Sequence, residues 1–128
     1  MKWYVKLLRW VWEFPQCLLG FILTLIYKVE YKETFKGIPI YAGKFSGGIS
    51  LGLYIIMDES KWKYNRNQIK AHEFGHTRQS LYLGPLYLIV IGLPSILWAW
   101  RYNPLTHGSY YKYWTEAWAD SLGGIATR

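Results

Sequence analysis

Apolar residues are concentrated in two segments of this sequence rather than spread along it. The first covers residues 10–27, and the second covers residues 81–100, where 20 consecutive positions carry no charged side chain. A helix needs about 20 apolar residues to cross the hydrocarbon core of a bilayer. Tryptophan and tyrosine residues flank both segments, as is typical of side chains that lie at the level of the lipid headgroups. The pattern predicts one or two membrane-associated hydrophobic helices.

Neither segment reads as a simple membrane crossing. The first is short, and the second is interrupted by Gly84-Pro85 and by Pro94, so re-entrant helices and the core helices of a soluble domain are both alternatives. A chain of this length has little interior in which to hide two such segments, which favours membrane association. No small-residue cleavage pattern precedes Lys28, so the first segment is expected to be retained. Cys17 within it is expected to be a small buried hydrophobic residue.

The stretch between the apolar segments, residues 37–80, has ordinary globular character and begins with strands. Residues 37–42 and 49–57 are rich in β-branched and aromatic side chains, and the glycines of residues 43–48 suit the turn of a hairpin between them. Pro39 would suit an edge strand, because proline cannot donate to a ladder of hydrogen bonds. We therefore expect a small antiparallel hairpin or sheet.

Two helices are predicted around this sheet. Residues 58–67 read as a polar loop in which Asn67 caps a helix from Gln68 to about Tyr82, stopped by Gly84-Pro85. A second helix is expected from about residue 109 to 122, ended by a pair of glycines. The predicted fold is a single α+β domain over residues 1–128, with its catalytic core in residues 37–80 and 109–124.

Composition and charge narrow the class of protein. The chain has 128 residues, a net charge of +7 and 52% hydrophobic content, which excludes a disordered chain. Its single cysteine, Cys17, excludes an internal disulfide framework and a cysteine-based zinc site. The basic residues flank the apolar segments, and no nucleic-acid-binding pattern occurs, so membrane lipid rather than nucleic acid is the expected partner. The expected location is the inner or cytoplasmic membrane. The side is not determined, because similar numbers of basic residues lie before and after the first apolar segment.

Candidate chemistry is concentrated in His72-Glu73-Phe74-Gly75-His76, an H-E-x-x-H pattern within the predicted helix. Residues four apart lie on one face of a helix, so His72 and His76 can bind one metal ion, and Glu73 can reach a water molecule on that ion. From the chain's own composition, roughly 0.004 accidental matches are expected, which makes chance a poor explanation. Gly75 inside a helix costs about 1 kcal/mol relative to alanine and indicates that another element packs closely there.

A catalytic zinc site needs a third protein ligand. The candidates are His107, Glu116, Asp120 and the carboxylates upstream of the motif. Glu116 is the best of these, because Asp120 follows it by four residues on the same helix face. In that arrangement Glu116 would bind the metal, and Asp120 would accept the second ring N–H of a ligating histidine.

The two motifs together resemble the gluzincin zinc metallopeptidases. They resemble in particular the membrane-bound branch that includes the heat-shock membrane protease and the CAAX-prenyl protease, whose motifs are H-E-x-G-H and E-x-x-A-D-x-x-G. Residues 72–76 and residues 116–123 match both motifs at every fixed position. The resemblance implies a Zn²⁺ ion held by His72, His76 and Glu116, with Glu73 as the general base and Asp120 orienting a histidine, expected to be His72. It also implies a glycine-containing edge strand before the metal helix.

The residue that would stabilise the oxyanion is left open by the sequence. Larger relatives place a histidine, tyrosine or arginine after the glutamate ligand, and here only Arg128 lies there. The alternatives precede Glu116 in the sequence and are His107, Tyr110, Tyr111 and Tyr113.

The expected function is that of a zinc metalloendopeptidase that hydrolyses hydrophobic or membrane-proximal peptides or proteins. The main alternative is a small membrane protein that uses the same zinc site only to stabilise its fold, since a short chain gains from metal-coupled folding. A third interpretation is a membrane adaptor with an accidental motif, which would bind no stoichiometric zinc. Glu73 separates the first two, because a structural site has no use for a proton acceptor beside an open coordination position.

Overall fold

A computed structural model describes residues 1–45 and 47–128 and shows an α+β fold, as the sequence predicts. Its elements, in chain order, are α1 (Trp3–Trp12), α2 (Phe14–Ile26), β1 (Glu30–Phe35), β2 (Ile38–Gly43), β3 (Gly48–Leu51), β4 (Tyr54–Asp58), α3 (Glu59–Leu83), α4 (Leu93–Arg101), α5 (Pro104–His107) and α6 (Trp114–Leu122). A 3₁₀ turn at Gly84–Leu86 and a π-helical turn at Leu88–Gly92 connect α3 to α4.

The four strands form one mixed sheet in the order β1-β2-β4-β3. β2 pairs with β1 in antiparallel fashion and with β4 in parallel fashion, while β3 and β4 are antiparallel. The prediction of a purely antiparallel hairpin between residues 37–42 and 49–57 is therefore wrong. The predicted turn over residues 43–48 includes Ser46, which lies outside the described residues.

The hairpin lies instead inside the apolar run 49–57. Gly52 has a φ of +65°, which permits a tight turn that folds β3 back onto β4. A Cβ atom at that position would stand 2.4 Å from Sγ of Cys17, so the turn also packs closely on α2. β2 is an inner strand, contrary to the edge position suggested by Pro39, but its pairing with β4 begins only at Ile40.

α3 is longer than the sequence pattern indicates. It begins at Glu59 rather than Gln68, and the Asp58 side chain caps it by accepting a hydrogen bond of 2.9 Å from the Ser60 main-chain N–H. The predicted polar loop over residues 58–67 and the Asn67 cap are therefore wrong, because residues 59–67 form the first turns of the helix. The helix ends at Leu83, one residue from the predicted end, where Gly84 has a positive φ.

Two groups of buried residues hold the elements together. The larger hydrophobic cluster joins the strands to Phe74 of α3 and to Cys17 of α2, which is fully buried as expected. A polar cluster joins α1 to α3: the Arg9 guanidinium pairs with Glu13 at 2.6 Å and also donates to the Thr77 carbonyl. Glu13 in turn accepts a hydrogen bond from the Ser80 hydroxyl. The N-terminal helices are thus anchored on α3 through Thr77 and Ser80.

The apolar segments form short or bent helices. Among the described residues, no single helix is both long enough and apolar enough to cross a bilayer. One pair of helices meets that standard together, but with a bend of 119° between Arg66–Leu86 and Leu88–Arg101. A shorter apolar helix spans Phe14–Ile26. The C-terminal helix α6 ends at Leu122 as predicted but begins at Trp114 rather than near residue 109, because a 3₁₀ turn at Tyr110–Lys112 precedes it.

Candidate metal centre

The two histidines of the motif and the distant glutamate meet in the interior of the protein. His72 and His76 lie one turn apart on α3, Glu116 lies in the first turn of α6, and all three are buried. Oε2 of Glu116 is 2.9 Å from Nε2 of each histidine. One ligand atom from each residue lies within 4.8 Å of the other two, so this group could hold a metal ion.

Small residues allow α3 and α6 to approach closely enough for this geometry. A Cβ atom at Gly75 would stand 1.8 Å from the carbonyl oxygen of Ala119, and one at Gly123 would stand 2.0 Å from that of Ala71. The close packing expected at Gly75 is confirmed. Gly123 therefore has a packing role at this helix contact that matches that of Gly75.

The structure places Asp120 where the sequence predicts it. Its Oδ1 lies 2.6 Å from Nδ1 of His72, and both of its carboxylate oxygens accept hydrogen bonds from Arg128 at 2.9 and 3.0 Å. An ionised carboxylate only accepts, so Nδ1 of His72 carries the proton. Nε2 of His72 is then the nitrogen that can bind a metal.

Gln79 holds the proton on Nδ1 of His76 as Asp120 does for His72, and the sequence motifs do not predict this contact. Its Nε2 donates to the main-chain carbonyl of Thr115 at 2.9 Å, which turns Oε1 toward Nδ1 of His76 at 2.6 Å. Since an amide oxygen only accepts, Nδ1 of His76 also carries a proton and Nε2 faces the site. The one available signal was the spacing of Gln79, three residues after His76 on the same helix face.

The carboxylate of Glu116 favours protonation of both histidines, and a bound cation would take the place of those protons. Burial alone would lower the pKa of His76, but the hydrogen bond and charge of Glu116 outweigh it and raise the pKa to about 9. The pKa of His72 is also raised, because the same carboxylate outweighs its burial. Burial would raise the pKa of Glu116, but its two histidine partners hold it well below 4.5. A buried carboxylate that attracts positive charge between two imidazoles fits a divalent cation.

Glu73 lies beside this cluster on the wall of the same cavity. It is 6% exposed, and its Oε2 accepts a hydrogen bond of 2.7 Å from the hydroxyl of Ser50 on β3. Ser50 lies in a strand of apolar character, and no motif singled it out. The cavity has a volume of about 650 Å³ and is lined by the three metal-ligand candidates, by the edge strand β3 and by apolar residues of α2 and α4.

The candidate oxyanion stabilisers are distributed unequally. Tyr110 and Tyr111 line the cavity: the hydroxyl of Tyr110 is 3.5 Å from Oε1 of Glu116, and the Tyr111 ring packs against His72. Arg128 also lines the cavity, with its guanidinium over the Tyr111 ring. His107 is exposed and its Nδ1 accepts a hydrogen bond from the main chain of Asn103, while Tyr113 stacks on Trp98. The structure therefore brings Tyr110, Tyr111 and Arg128 to the cavity and engages His107 and Tyr113 in other contacts.

No protein-family model matches the chain, and no curated protein or solved structure matches it significantly.

Proposed function

We propose that this chain is a zinc-dependent metallopeptidase that cleaves hydrophobic or membrane-proximal peptides. The observation that carries the proposal is the convergence of His72, His76 and Glu116 on one point, with the carboxylate of Glu73 in the same cavity. Two imidazoles and one carboxylate are a donor set typical of catalytic zinc sites, which keep a fourth position open. A purely structural site would have a fourth protein ligand, and the group found among the described residues has three.

Each residue has a defined role in the proposed reaction. Zinc, when bound, would polarise the peptide carbonyl and lower the pKa of a water molecule. Glu73 would accept the proton of the attacking water and deliver it to the nitrogen of the leaving amine, so that one C–N bond breaks as one C–O bond forms. Tyr110 is the best-placed donor for the oxygen that gains negative charge, because its hydroxyl already lies beside Glu116.

The edge strand β3 offers a surface for an extended substrate. Gly47 accepts a hydrogen bond from Asp58 at 2.8 Å, and main-chain direction alternates along a strand, so the main chain of Gly48 faces the free edge. A peptide can add to such an edge as a further strand. Because this edge also lines the cavity, a peptide bound there would pass the metal-ligand cluster.

Apolar walls indicate the class of substrate. Leu19 of α2 and Leu93 and Ile96 of α4 line the cavity and are also 38%, 53% and 59% exposed. These side chains belong to the two apolar segments of the chain. A hydrophobic peptide that approaches between α2 and α4 would stay in apolar surroundings until it reached the polar cluster.

We also propose that the exposed apolar surfaces of the N-terminal helices and of the second apolar segment bind a membrane containing anionic phospholipid. Large apolar side chains are exposed along α1, α2 and the segment from residue 86 to residue 101, among them Trp3, Leu8, Val11, Leu25, Ile26, Ile89 and Trp100. Exposed apolar surface of this extent marks an interaction site. Lys2, Lys6 and Lys28 flank these helices and are exposed, which complements negatively charged headgroups.

Peptide hydrolysis by matched variants tests the enzymatic proposal. The zinc-loaded protein in detergent should cleave members of a quenched-fluorescent library of apolar peptides, and Glu73→Gln should retain zinc while losing at least a hundredfold in kcat. Equal behaviour of the two proteins, with zinc bound to both, would instead indicate a structural site.

Sedimentation with vesicles of phosphatidylcholine, with and without phosphatidylglycerol, tests the membrane proposal. Protein that stays in solution with both vesicle types would contradict it.

A further inference from the structure

The carboxylate of Glu73 is held against the edge strand β3 by two positions that share one face of that strand. Side chains alternate along a strand, so residues 48 and 50 point to the same side. Ser50 supplies a hydroxyl at 2.7 Å from Oε2 of Glu73. Gly48 supplies only space, since a Cβ atom there would stand 2.9 Å from Oε1.

We propose that Ser50 and Gly48 are positioning residues for the general base. This inference rests on the proposed function for its catalytic meaning, but the placement of the carboxylate can be measured separately. The role of Ser50 is to hold Oε2 in a hydrogen bond. Oε1 is then the oxygen left to exchange a proton with water and with the leaving amine. The role of Gly48 is to leave room for Oε1 beside the strand.

The hydroxyl of Ser50 is itself well fixed. Its Oγ also lies 2.7 Å from the main-chain oxygen of Glu73, so its single proton is shared between two acceptors of one residue. The side chain of Ser50 is 3% exposed, so water does not compete strongly for this hydrogen bond. Ser50 therefore links the strand to both the main chain and the side chain of the residue it positions.

Tyr87 holds the main chain of Ser50. The main chain of Ser50 faces the free edge, as that of Gly48 does, and its carbonyl accepts a hydrogen bond of 2.9 Å from the Tyr87 hydroxyl. Tyr87 is buried and lies between the 3₁₀ turn and the π-helical turn of the second apolar segment. The Ser50 carbonyl is thus occupied by Tyr87, and a substrate strand would pair at Gly48.

Three variants separate positioning from general structural damage. Ser50→Ala removes the hydroxyl. Gly48→Ala adds a methyl group whose three nearest atoms all belong to the flexible side chain of Glu73, at a position whose φ is compatible with alanine. Thr77→Val is the matched control, because it removes a buried hydroxyl on α3 that bonds to the Phe74 carbonyl. Hydrogen bonds to charged groups contribute enough for a loss of about tenfold to a hundredfold in kcat for Ser50→Ala.

The experiment combines kinetics with structure. For zinc-loaded protein acting on the best apolar peptide of the library, Ser50→Ala and Gly48→Ala should lower kcat with less than about a twofold change in KM. Zinc affinity should be unchanged, and Thr77→Val should keep the wild-type kcat. Crystal structures of the metal-free proteins should show the Glu73 carboxylate displaced or in several conformers in both β3 variants and in one conformer in wild type and Thr77→Val.

Each outcome bears on the inference. If the wild-type protein cleaves no peptide but Glu73 moves in both β3 variants, the positioning role is supported and the proposed peptidase function fails. If Glu73 keeps its place and kcat is unchanged in both variants, the inference is overturned. A loss of zinc or folding in Ser50→Ala with wild-type behaviour of Gly48→Ala would also overturn it, because Ser50 would then be merely structural.

Discussion

Gly75 of α3 lies directly against the main chain of Ala119 of α6. A Cβ atom at position 75 would stand only 1.8 Å from the Ala119 carbonyl oxygen, which is part of the main chain and cannot turn aside. The distance between the two helices therefore depends on the missing side chain. Because His76 follows Gly75 and Glu116 precedes Ala119, the same distance sets the separation of the metal-ligand candidates.

Gly75→Ala should separate the helices and impair metal binding. Overpacking of a closely packed site costs roughly 1–3 kcal/mol or more, and a contact this short places the variant at the upper end of that range. Denaturant unfolding in detergent, together with zinc titration, measures both effects. Gly92→Ala is the control, since its Cβ atom would meet nothing nearer than 3.6 Å. Unchanged zinc affinity in Gly75→Ala would show that the helix spacing does not matter to the site.

Gln79→Leu should weaken zinc binding by about tenfold to a hundredfold, the usual effect of removing an outer-shell partner of a ligating histidine. The substitution removes the acceptor that holds the proton on Nδ1 of His76 and so frees the ring to turn. Competition with a chromophoric chelator gives the affinity. Gln68→Leu, at an exposed position of the same helix, provides the matched control. Equal affinities of the two variants would contradict the role given to Gln79.

Zinc uptake should strengthen as the pH rises toward 9. The pKa of His76 in the metal-free protein is about 9, because the hydrogen bond and charge of Glu116 outweigh the effect of burial. Zinc binds the neutral imidazole, so at lower pH its binding must release a proton. Calorimetry in buffers of different ionisation enthalpy should detect the release of this proton at pH 7. An apparent affinity that is constant between pH 7 and pH 9 would contradict the expectation.

The same shifts predict how the metal-free protein responds to pH. The raised pKa of His76 contributes stability that is complete below 6.5 and is lost as the pH rises through about 9. The lowered pKa of Glu116 contributes stability that is present above 4.5 and is lost as the pH falls. Both contributions are complete only between pH 4.5 and pH 6.5. Thermal unfolding of chelator-treated protein should show this window, and Glu116→Gln should flatten it.

Arg9→Leu should destabilise the fold by about 3–5 kcal/mol, because it leaves the fully buried carboxylate of Glu13 without its ion partner. The double variant Arg9→Leu with Glu13→Leu should recover most of that loss, since neither charge then remains buried. Unfolding by denaturant in detergent gives the three free energies. A double variant less stable than Arg9→Leu would contradict this expectation and show that Glu13 stabilises the fold through contacts other than the ion pair, such as the hydrogen bond from Ser80.

The sequence predicts which residues of the candidate site come together better than it predicts the fold around them. The spacing of His72 and His76 and the pairing of Glu116 with Asp120 follow from helix periodicity, which is a local property. The sheet order does not, because β2 and β4 are separated in the chain by β3 and their parallel pairing depends on tertiary contacts. Within the apolar run 49–57 only Gly52 marks the turn, and a continuous run of β-formers hides it.

Two other elements were hidden by polar residues. β1 carries Glu30, Lys32 and Glu33, whose charges obscure the alternation of a half-exposed strand, and it was therefore not predicted. The first turns of α3 are exposed and so lack the apolar periodicity of a buried helix. Ser50 and Gln79 escaped prediction because their partners, Glu73 and Thr115, are identified only by tertiary structure.

Metal analysis of the purified protein tests the central claim most directly. After incubation with zinc and dialysis, the wild-type protein and Glu73→Gln should each retain one zinc ion per chain, because Glu73 is not a ligand in this account. Glu116→Gln should retain markedly less, since it removes the charged ligand that joins the two histidines. A folded wild-type protein without zinc, or equal retention by wild type and Glu116→Gln, would contradict the account.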